Sequence, residues 1–248
     1  MLGAARRILP SARSLAVGFG LVALAAGAYA VARESSMFAI ETLDVTGASP
    51  ATEAAVRKAL APLEGTSLLS LGATDVERRT GALPAVVSAT YDRAFPHTLR
   101  VTVREERPVA VLRRGPDSFL VSARGRVIRA LEPRALLALP RIWVPRPTGV
   151  EVGATLAGDA GAAVDALVPL SRLRFPVQVA SAEATSGQLS LRLRTGLELR
   201  LGAAQDLLLK LDIARQILPT LAPGAGAYLD VSVPDRPVSG STNPQVQG

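Results

Sequence analysis

The sequence has no cysteine, a single histidine and few aromatic residues (five Phe, three Tyr, one Trp). Without cysteine the chain forms no disulfide, no thiolate metal site and no cysteine nucleophile, and its redox compartment stays undetermined. A hydrolase triad needs a histidine or an equivalent base beside a nucleophile. The single histidine, His97, lies in FPHTL between two predicted strands. A structural or exposed role is therefore expected for it.

Motifs of catalysis and cofactor binding are also missing. The sequence has no P-loop, no H-E-x-x-H and no acidic cluster with calcium spacing. Its carboxylates are scattered over different predicted elements, although two of them could still meet in space as in glycoside hydrolases. Few aromatic residues are available to line a sugar cleft, which favours a binding protein over an enzyme. No cofactor is expected. A cell-wall hydrolase stays open as the enzymatic alternative.

The net charge of +7 is not distributed as in a nucleic-acid-binding protein. Residues 1–33 contain four arginines and no acid, and the rest of the chain intersperses 24 basic with 21 acidic residues. A nucleic-acid-binding protein usually concentrates its charge on one face and adds stacking aromatics. We therefore expect a solvated surface and no nucleic-acid partner.

The longest apolar run, SLAVGFGLVALAAGAYAVA, spans residues 14–32. As a helix it would be about 28 Å long, close to the thickness of a bilayer core. Three arginines precede it, so the positive-inside rule predicts a cytoplasmic tail over residues 1–13 and an exported remainder anchored in the inner (cytoplasmic) membrane. A cleaved signal peptide stays open, because AYAVA offers cleavage after Ala30 or Ala32.

A first exported unit is predicted over residues 38–107, in the order β-α-α-β-β. FAIETLDVTG reads as a strand, and Ser49-Pro50 as the start of a helix. The run T-D-V-E, from Thr74 to Glu77, has the pattern of a capping box for a second helix. Two strands around a Phe-Pro turn, SATYDRAFPHTLRVTVRE, complete the unit, and the second of them alternates apolar and polar residues.

A second unit is predicted over residues 108–235 and is mostly strand. Hairpins are expected at Arg124-Gly125 and Thr195-Gly196. One helix is predicted over residues 161–173, and a strongly amphipathic one in AAQDLLLKLDIARQIL, with its apolar side formed by Leu207, Leu208, Leu211, Ala214, Ile217 and Leu218. The last predicted strand is AYLDVSV. Residues 236–248 are rich in Ser, Gly, Pro, Asn and Gln and are predicted to be a disordered tail.

The chain resembles the FtsQ/DivIB family of bacterial division proteins from the membrane segment to about residue 237. The most specific stretch is LPAVVSATYDRAFPHTLRVTVREERPVAVL, with an L-P motif, an arginine two residues before an aromatic-Pro pair, and an E-R-x-P-x-A signature. The resemblance implies an α+β fold with an N-terminal transmembrane helix. A POTRA domain and a second, mostly antiparallel β domain with two helices would follow it.

The resemblance also implies a function. A member of this family would be a single-pass divisome scaffold without catalysis, located at the division septum. It would recruit and regulate the septal peptidoglycan machinery through FtsB-like and FtsL-like proteins and contact other divisome membrane proteins. Pairing of a partner segment with an exposed sheet edge is the expected mechanism. We predict the last strand as that edge, with the site residues Tyr228, Leu229, Asp230, Val231, Ser232 and Val233.

Two further surfaces and two other protein classes stay open. The first strand of the POTRA domain is a second candidate edge, and Gly18, Gly20 and Gly27 would permit close packing of the membrane helix. A secreted POTRA-containing binding protein would result from signal cleavage. An outer-membrane translocator also carries POTRA units, but the roughly 130 residues after Arg107 are too few for a large barrel that also holds two helices.

Overall fold

The computed structural model describes residues 12–132, 137–145, 148–171, 173, 175–222, 224 and 226–241. These residues form two compact units, one ending at Arg104 and the other beginning at Glu105. The α-helices are α1 (Ala12–Glu34), α2 (Pro50–Leu60), α3 (Ala73–Gly81), α4 (Gly158–Leu167) and α5 (Leu207–Ile217). The strands of the first unit are β1 (Thr42–Thr46), β2 (Val86–Ala94) and β3 (Thr98–Glu105).

The predicted membrane segment forms α1, a helix of 23 residues. Its apolar part, Leu15–Glu34, is long enough to cross a bilayer, and no residue of it is buried. Exposed apolar side chains on a whole helix are unfavourable in water and favourable in lipid. The helix therefore has the length and composition of a single membrane span.

The first unit contains the predicted β-α-α-β-β order and a three-stranded sheet with the order β1-β3-β2. Strand β1 runs parallel to β3, with Leu43 opposite Leu99 and Val45 opposite Val101. Alternation along both strands places these side chains on one face, where α2 and α3 cover them. Strand β1 is an edge of its sheet, as predicted.

The start of α3 differs from its prediction. Gly72 is the N-cap residue and the helix begins at Ala73, so Thr74 lies inside the first turn and the capping box is wrong. The helix can begin two residues earlier because Gly72 adopts the extended conformation of a cap. The start of α2 agrees with its prediction, with Ser49 as the N-cap residue and Pro50 in the first turn.

The strands of the second unit form one mixed sheet with the order β12-β11-β10-β9-β8-β7-β4-β5-β6. Five neighbouring pairs are antiparallel and three, β4/β7, β7/β8 and β10/β11, are parallel. The bounds are β4 (Pro108–Arg114), β5 (Asp117–Ser122), β6 (Val127–Ala130), β7 (Arg141–Trp143), β8 (Val179–Thr185), β9 (Gln188–Leu193), β10 (Glu198–Gly202), β11 (Ala227–Asp230) and β12 (Val238–Ser241).

Both predicted helices of this unit pack on one face of the sheet. Leucines of β9 and β10 alternate toward that face and are buried against α4 and α5. On β9 and β10 the opposite face, called the outer face below, carries the alternate polar side chains, whereas on β4 and β5 it includes the buried residues Val111 and Leu120. The core cluster includes Leu112, Ile142, Val164, Leu167, Leu189, Leu191, Leu193, Leu199, Leu201, Leu211 and Leu229.

The apolar side of α5 is narrower than predicted. Leu208 is 63% exposed, whereas Lys210 is buried and its Nζ donates a hydrogen bond to the carbonyl of Ala203 at 2.7 Å. The residues that face the sheet follow a spacing of three and four from Leu207 to Leu218. Leu208 lies one residue, or about 100°, outside that stripe and is left in solvent.

An ion pair between a buried carboxylate and a half-exposed arginine lies at the start of the second unit. The Glu106 side chain is only 2% exposed, and Arg124 donates to its Oε1 from Nε at 3.2 Å and from Nη2 at 2.5 Å. Arg124 comes from the turn between β5 and β6, where Gly125 has a φ of +72°. The E-R-x-P segment therefore has a structural role: its glutamate fixes this turn against the first strand of the sheet.

Arg124→Ala is expected to lower the unfolding free energy of the second unit by about 1–3 kcal/mol, because the carboxylate of Glu106 would remain buried without its partner. Denaturant unfolding followed by Trp143 emission measures this change, since Trp143 is the only tryptophan in the chain and lies in this unit. Arg215→Ala, which removes the exposed pair with Asp212, serves as the control and should cost less than about 0.5 kcal/mol. Equal losses in the two variants would contradict the structural role.

Candidate partner-binding edge

The sheet of the second unit ends in a strand that sequence reasoning missed. Strand β12 pairs antiparallel with β11, with Ala227 opposite Ser241 and Asp230 opposite Val238. The predicted edge, β11, is therefore an inner strand, and its prediction as the free edge is wrong. The prediction of a disordered tail from residue 236 is likewise wrong for residues 238–241, and residues 242–248 lie outside the described ranges.

The cause of both errors is the composition of β12. Its sequence, VSGS, has one large apolar residue, and none of its four residues is buried in a core. A turn with two prolines, PDRP, precedes it and reverses the chain. The one residue of this segment that relates to its pairing is Gly240, which lies directly opposite Tyr228 of β11.

The six predicted site residues divide between the two faces of the sheet. Leu229 and Val231 are buried in the core, and their role is structural. Tyr228 and Asp230 lie on the outer face, where Asp230 Oδ1 accepts a hydrogen bond from the backbone N–H of Ser232 at 2.9 Å. Val233 is 56% exposed, beyond the end of β11. That a partner contacts these residues remains a prediction.

Tyr228 connects the last three strands on the outer face. The guanidinium of Arg200, on β10, lies 4.3 Å from the centre of its ring. On the other side, a Cβ at Gly240 would lie 2.8 Å from Tyr228 Oη and 2.9 Å from two ring carbons. The ring thus lies across the glycine of β12, and only glycine at this position permits it. This packing fixes the position of the edge strand.

Gly240→Val is expected to lower the unfolding free energy of the second unit by about 1–3 kcal/mol, because the new side chain displaces the ring of Tyr228. In a Tyr228→Ala background the same change should cost less than about 1 kcal/mol, since the clash is gone. Denaturant unfolding of the four chains of this double-mutant cycle measures the coupling. Additive losses of unfolding free energy would show that the position of the Tyr228 ring does not depend on Gly240.

The remaining backbone of β12 faces no further strand in the described part of the chain. An edge strand presents unpaired N–H and C=O groups to which another extended chain can bond. Val238 is 53% exposed here, and the short strand carries no charge that would repel an incoming chain. Strand β12 is therefore the available edge at this end of the sheet.

The outer face beside this edge is polar. A shallow cavity of about 300 Å³ opens there, between strands β8 and β11. Its charged lining is Glu183, Glu198, Arg200 and Asp230. Within the described ranges, no group of three or more His, Asp or Glu residues is placed to hold a metal ion. The arrangement is suited to hydrogen bonding and ion pairing with a polypeptide.

His97 belongs to the first unit. Its Nδ1 is 3.2 Å from the carbonyl oxygen of Ala39 and 3.8 Å from Glu41 Oε1. The backbone carbonyl of His97 accepts hydrogen bonds from the N–H groups of Glu41 and Thr42. The residue fixes the chain that leads into β1, in agreement with the structural role expected for it.

Comparison with known proteins identifies both units. Residues 38–106 match the family model described as "POTRA domain, FtsQ-type", which makes the chain a POTRA-domain protein with one apolar N-terminal helix. Residues 110–232 match the model described as "Cell division protein FtsQ/DivIB, C-terminal". The chain belongs to the FtsQ/DivIB family of cell division proteins.

Curated relatives agree with the family models. A protein of Rhizobium meliloti is 28% identical over 56% of this chain and 48% of its own length. A protein of Streptomyces bingchenggensis is 31% identical over 67% of this chain and 64% of its own length. A protein of Thiomonas arsenitoxydans is 30% identical over 66% of this chain and 57% of its own length. Each is called "Cell division protein FtsQ". The chain thus spans between about half and two thirds of the length of these relatives.

Proposed function

We propose that this protein is a non-catalytic divisome scaffold that recruits and regulates the septal peptidoglycan machinery. The main support is the match of both units to FtsQ-type models together with the position of β12 as the last strand of its sheet in the described part of the chain. FtsB-like and FtsL-like division proteins are the proposed partners. Other divisome membrane proteins would contact the chain in the same assembly.

The binding mode we propose is the addition of a partner strand to β12. Main-chain hydrogen bonds to Val238, Ser239 and Gly240 would supply the affinity, and side chains beside the edge would supply the specificity. On the outer face, Tyr228 and Asp230 lie one strand away from the incoming chain. This mode keeps the predicted residues of β11 next to the partner without making β11 itself the edge.

The proposed location is the inner membrane at the division septum, with one span, a cytoplasmic N-terminus and an exported remainder. The support is the apolar helix α1 and the three arginines that precede it. Intact mass of the protein purified from membranes separates this anchored form from a cleaved one. An N-terminus beginning after Ala30 or Ala32 would overturn the anchor.

Depletion of the protein in its own cells tests the function. The expected result is elongated cells without septa, and the full chain supplied from a second copy should restore division. A chain that lacks residues 238–248, produced at the same level in the membrane, should not restore it. Normal septation after depletion would contradict the proposed function.

A further inference from the structure

The outer face of the second unit is divided by charge. Between residues 107 and 148 the sequence contains nine arginines and two acids, whereas the rest of the exported part holds 15 basic and 19 acidic residues. Strands β4, β5, β6 and β7 lie in this segment and form one end of the sheet, opposite the β12 end. Four of the nine arginines, Arg113, Arg114, Arg129 and Arg141, lie in these strands, which contain a single acid, Asp117.

The strand register places three of these arginines on the outer face. Arg141 of β7 lies opposite Val111 of β4, Val111 opposite Leu120 of β5, and Leu120 opposite Arg129 of β6. Residues in such a row share one face of the sheet. In the next row, Arg113 lies opposite Trp143. We name Arg113, Arg129, Arg141 and Trp143 the arginine–tryptophan surface.

Trp143, on β7, is the aromatic residue of this surface. It is 49% exposed, although large aromatic side chains are usually buried on folding. The guanidinium of Arg113 lies 5.6 Å from its ring centre and donates to Ser118 Oγ at 2.7 Å, so the ring rests against a side chain that is itself held in place. Exposed tryptophan beside arginine is the composition of protein-binding hot spots.

Acids are absent from the outer face of these four strands. The one acidic residue they contain, Asp117, pairs with Arg114 and alternates toward the other face. Arg129 and Arg141 are both exposed, and neither makes an ion pair within the described residues. The positive charge of this surface is therefore available to a partner of opposite charge.

We propose that the arginine–tryptophan surface binds an extended acidic segment of a partner protein. Arg141 and Trp143 project from the same face two residues apart, a spacing of about 6.5–7 Å. The alternate side chains of an extended peptide repeat at the same distance, so a carboxylate and an apolar or aromatic group two residues apart fit this pair. Arginine binds carboxylate through a planar, two-pronged geometry. The surface lies at the opposite end of the sheet from β12 and forms a second binding site.

The test uses the full chain in phosphatidylcholine nanodiscs and a labelled peptide of alternating glutamate and leucine. Trp143 is the only tryptophan, so its emission reports this surface alone. The expected result is saturable binding with a shift in Trp143 emission, weakened by salt. A peptide with glutamine in place of glutamate should bind at least about tenfold more weakly, since it cannot form the ion pairs.

Matched substitutions locate the site. Arg129→Gln with Arg141→Gln should weaken binding about fivefold, and Trp143→Ala about tenfold. The control, Arg215→Gln with Arg236→Gln, removes the same charge outside this surface and should change the affinity for the peptide less than about twofold. Deleting residues 238–248 should leave peptide binding intact, which distinguishes this site from the edge at β12.

Three results would overturn the proposal. One is equal binding of the glutamate and glutamine peptides. Another is peptide binding that leaves Trp143 emission unchanged. The third concerns nanodiscs that contain phosphatidylglycerol. If these nanodiscs shift Trp143 emission before any peptide is added, and the peptide then no longer binds, the surface binds anionic lipid.

Discussion

A chain that ends at Pro237 is expected to bind the proposed FtsB-like and FtsL-like partners about a hundredfold more weakly than the full chain. Strand addition to β12 would form about two to four main-chain hydrogen bonds, each contributing about 0.5–1.5 kcal/mol. Removal of β12 takes away all of them together with the surface of Val238. Titration of the full and shortened chains in nanodiscs, against the membrane-proximal exported segments of the two cognate partners, measures the loss.

The control is a chain that ends at Ser241, which keeps β12 and should bind as the full chain does. Circular dichroism and Trp143 emission establish that both shortened chains remain folded. Tighter binding after removal of β12 would contradict the account in a specific way. It would mean that β12 occupies the place of the partner and that the partner pairs with β11, the strand that the sequence pattern predicts as the edge.

Gly47→Ala is expected to destabilise the first unit by roughly 2–5 kcal/mol. Gly47 follows β1 and has a φ of +94°, a conformation that costs a residue with a side chain about 1–2 kcal/mol. A Cβ there would lie 2.5 Å from the carbonyl oxygen of Val103. That atom belongs to the backbone of β3, so relief of the clash requires movement of a central strand.

Gly81→Ala is the matched control for this prediction. Gly81 ends α3, its φ is not positive, and a Cβ there would meet nothing within 4 Å. Its replacement should leave stability unchanged or raise it by up to about 1 kcal/mol. Hydrogen exchange of the amides of β1 and β3 in the full chain measures both effects in this unit. Equal exchange in the two variants would show that the contact of Gly47 is not restrictive.

The sequence predicts most of the fold because the larger elements carry their own periodicity. The alternation of Leu99, Val101 and Val103 predicts β3, and Arg124-Gly125 predicts the turn that precedes β6. The boundaries are less accurate. The stripe on α5 excludes Leu208, and α3 begins before the predicted capping box, because packing and local backbone geometry select among near-equivalent alternatives.

The candidate site is less predictable than the fold. Strand β12 is short and weakly apolar, and it exists as a strand because Tyr228 and the edge of β11 provide its neighbours. The charge of the outer face is only partly visible in the sequence. The excess of arginine between residues 107 and 148 can be counted there, but the register of β7, β4, β5 and β6 is needed to place Arg113, Arg129 and Arg141 on one face. Both features depend on pairing between distant segments, which periodicity does not report.

The central claim is that a partner strand adds to β12, and disulfide cross-linking tests it most directly. The chain has no cysteine, so single cysteines introduced as Val238→Cys or Ser239→Cys are unique reporters. Each is paired with a cysteine scanned along the exported segment of the FtsB-like partner. We expect cross-links from both positions that recur at every second partner residue, as in paired strands. Cross-links that form instead from Thr42→Cys, at the edge strand β1, and not from β12 would contradict it.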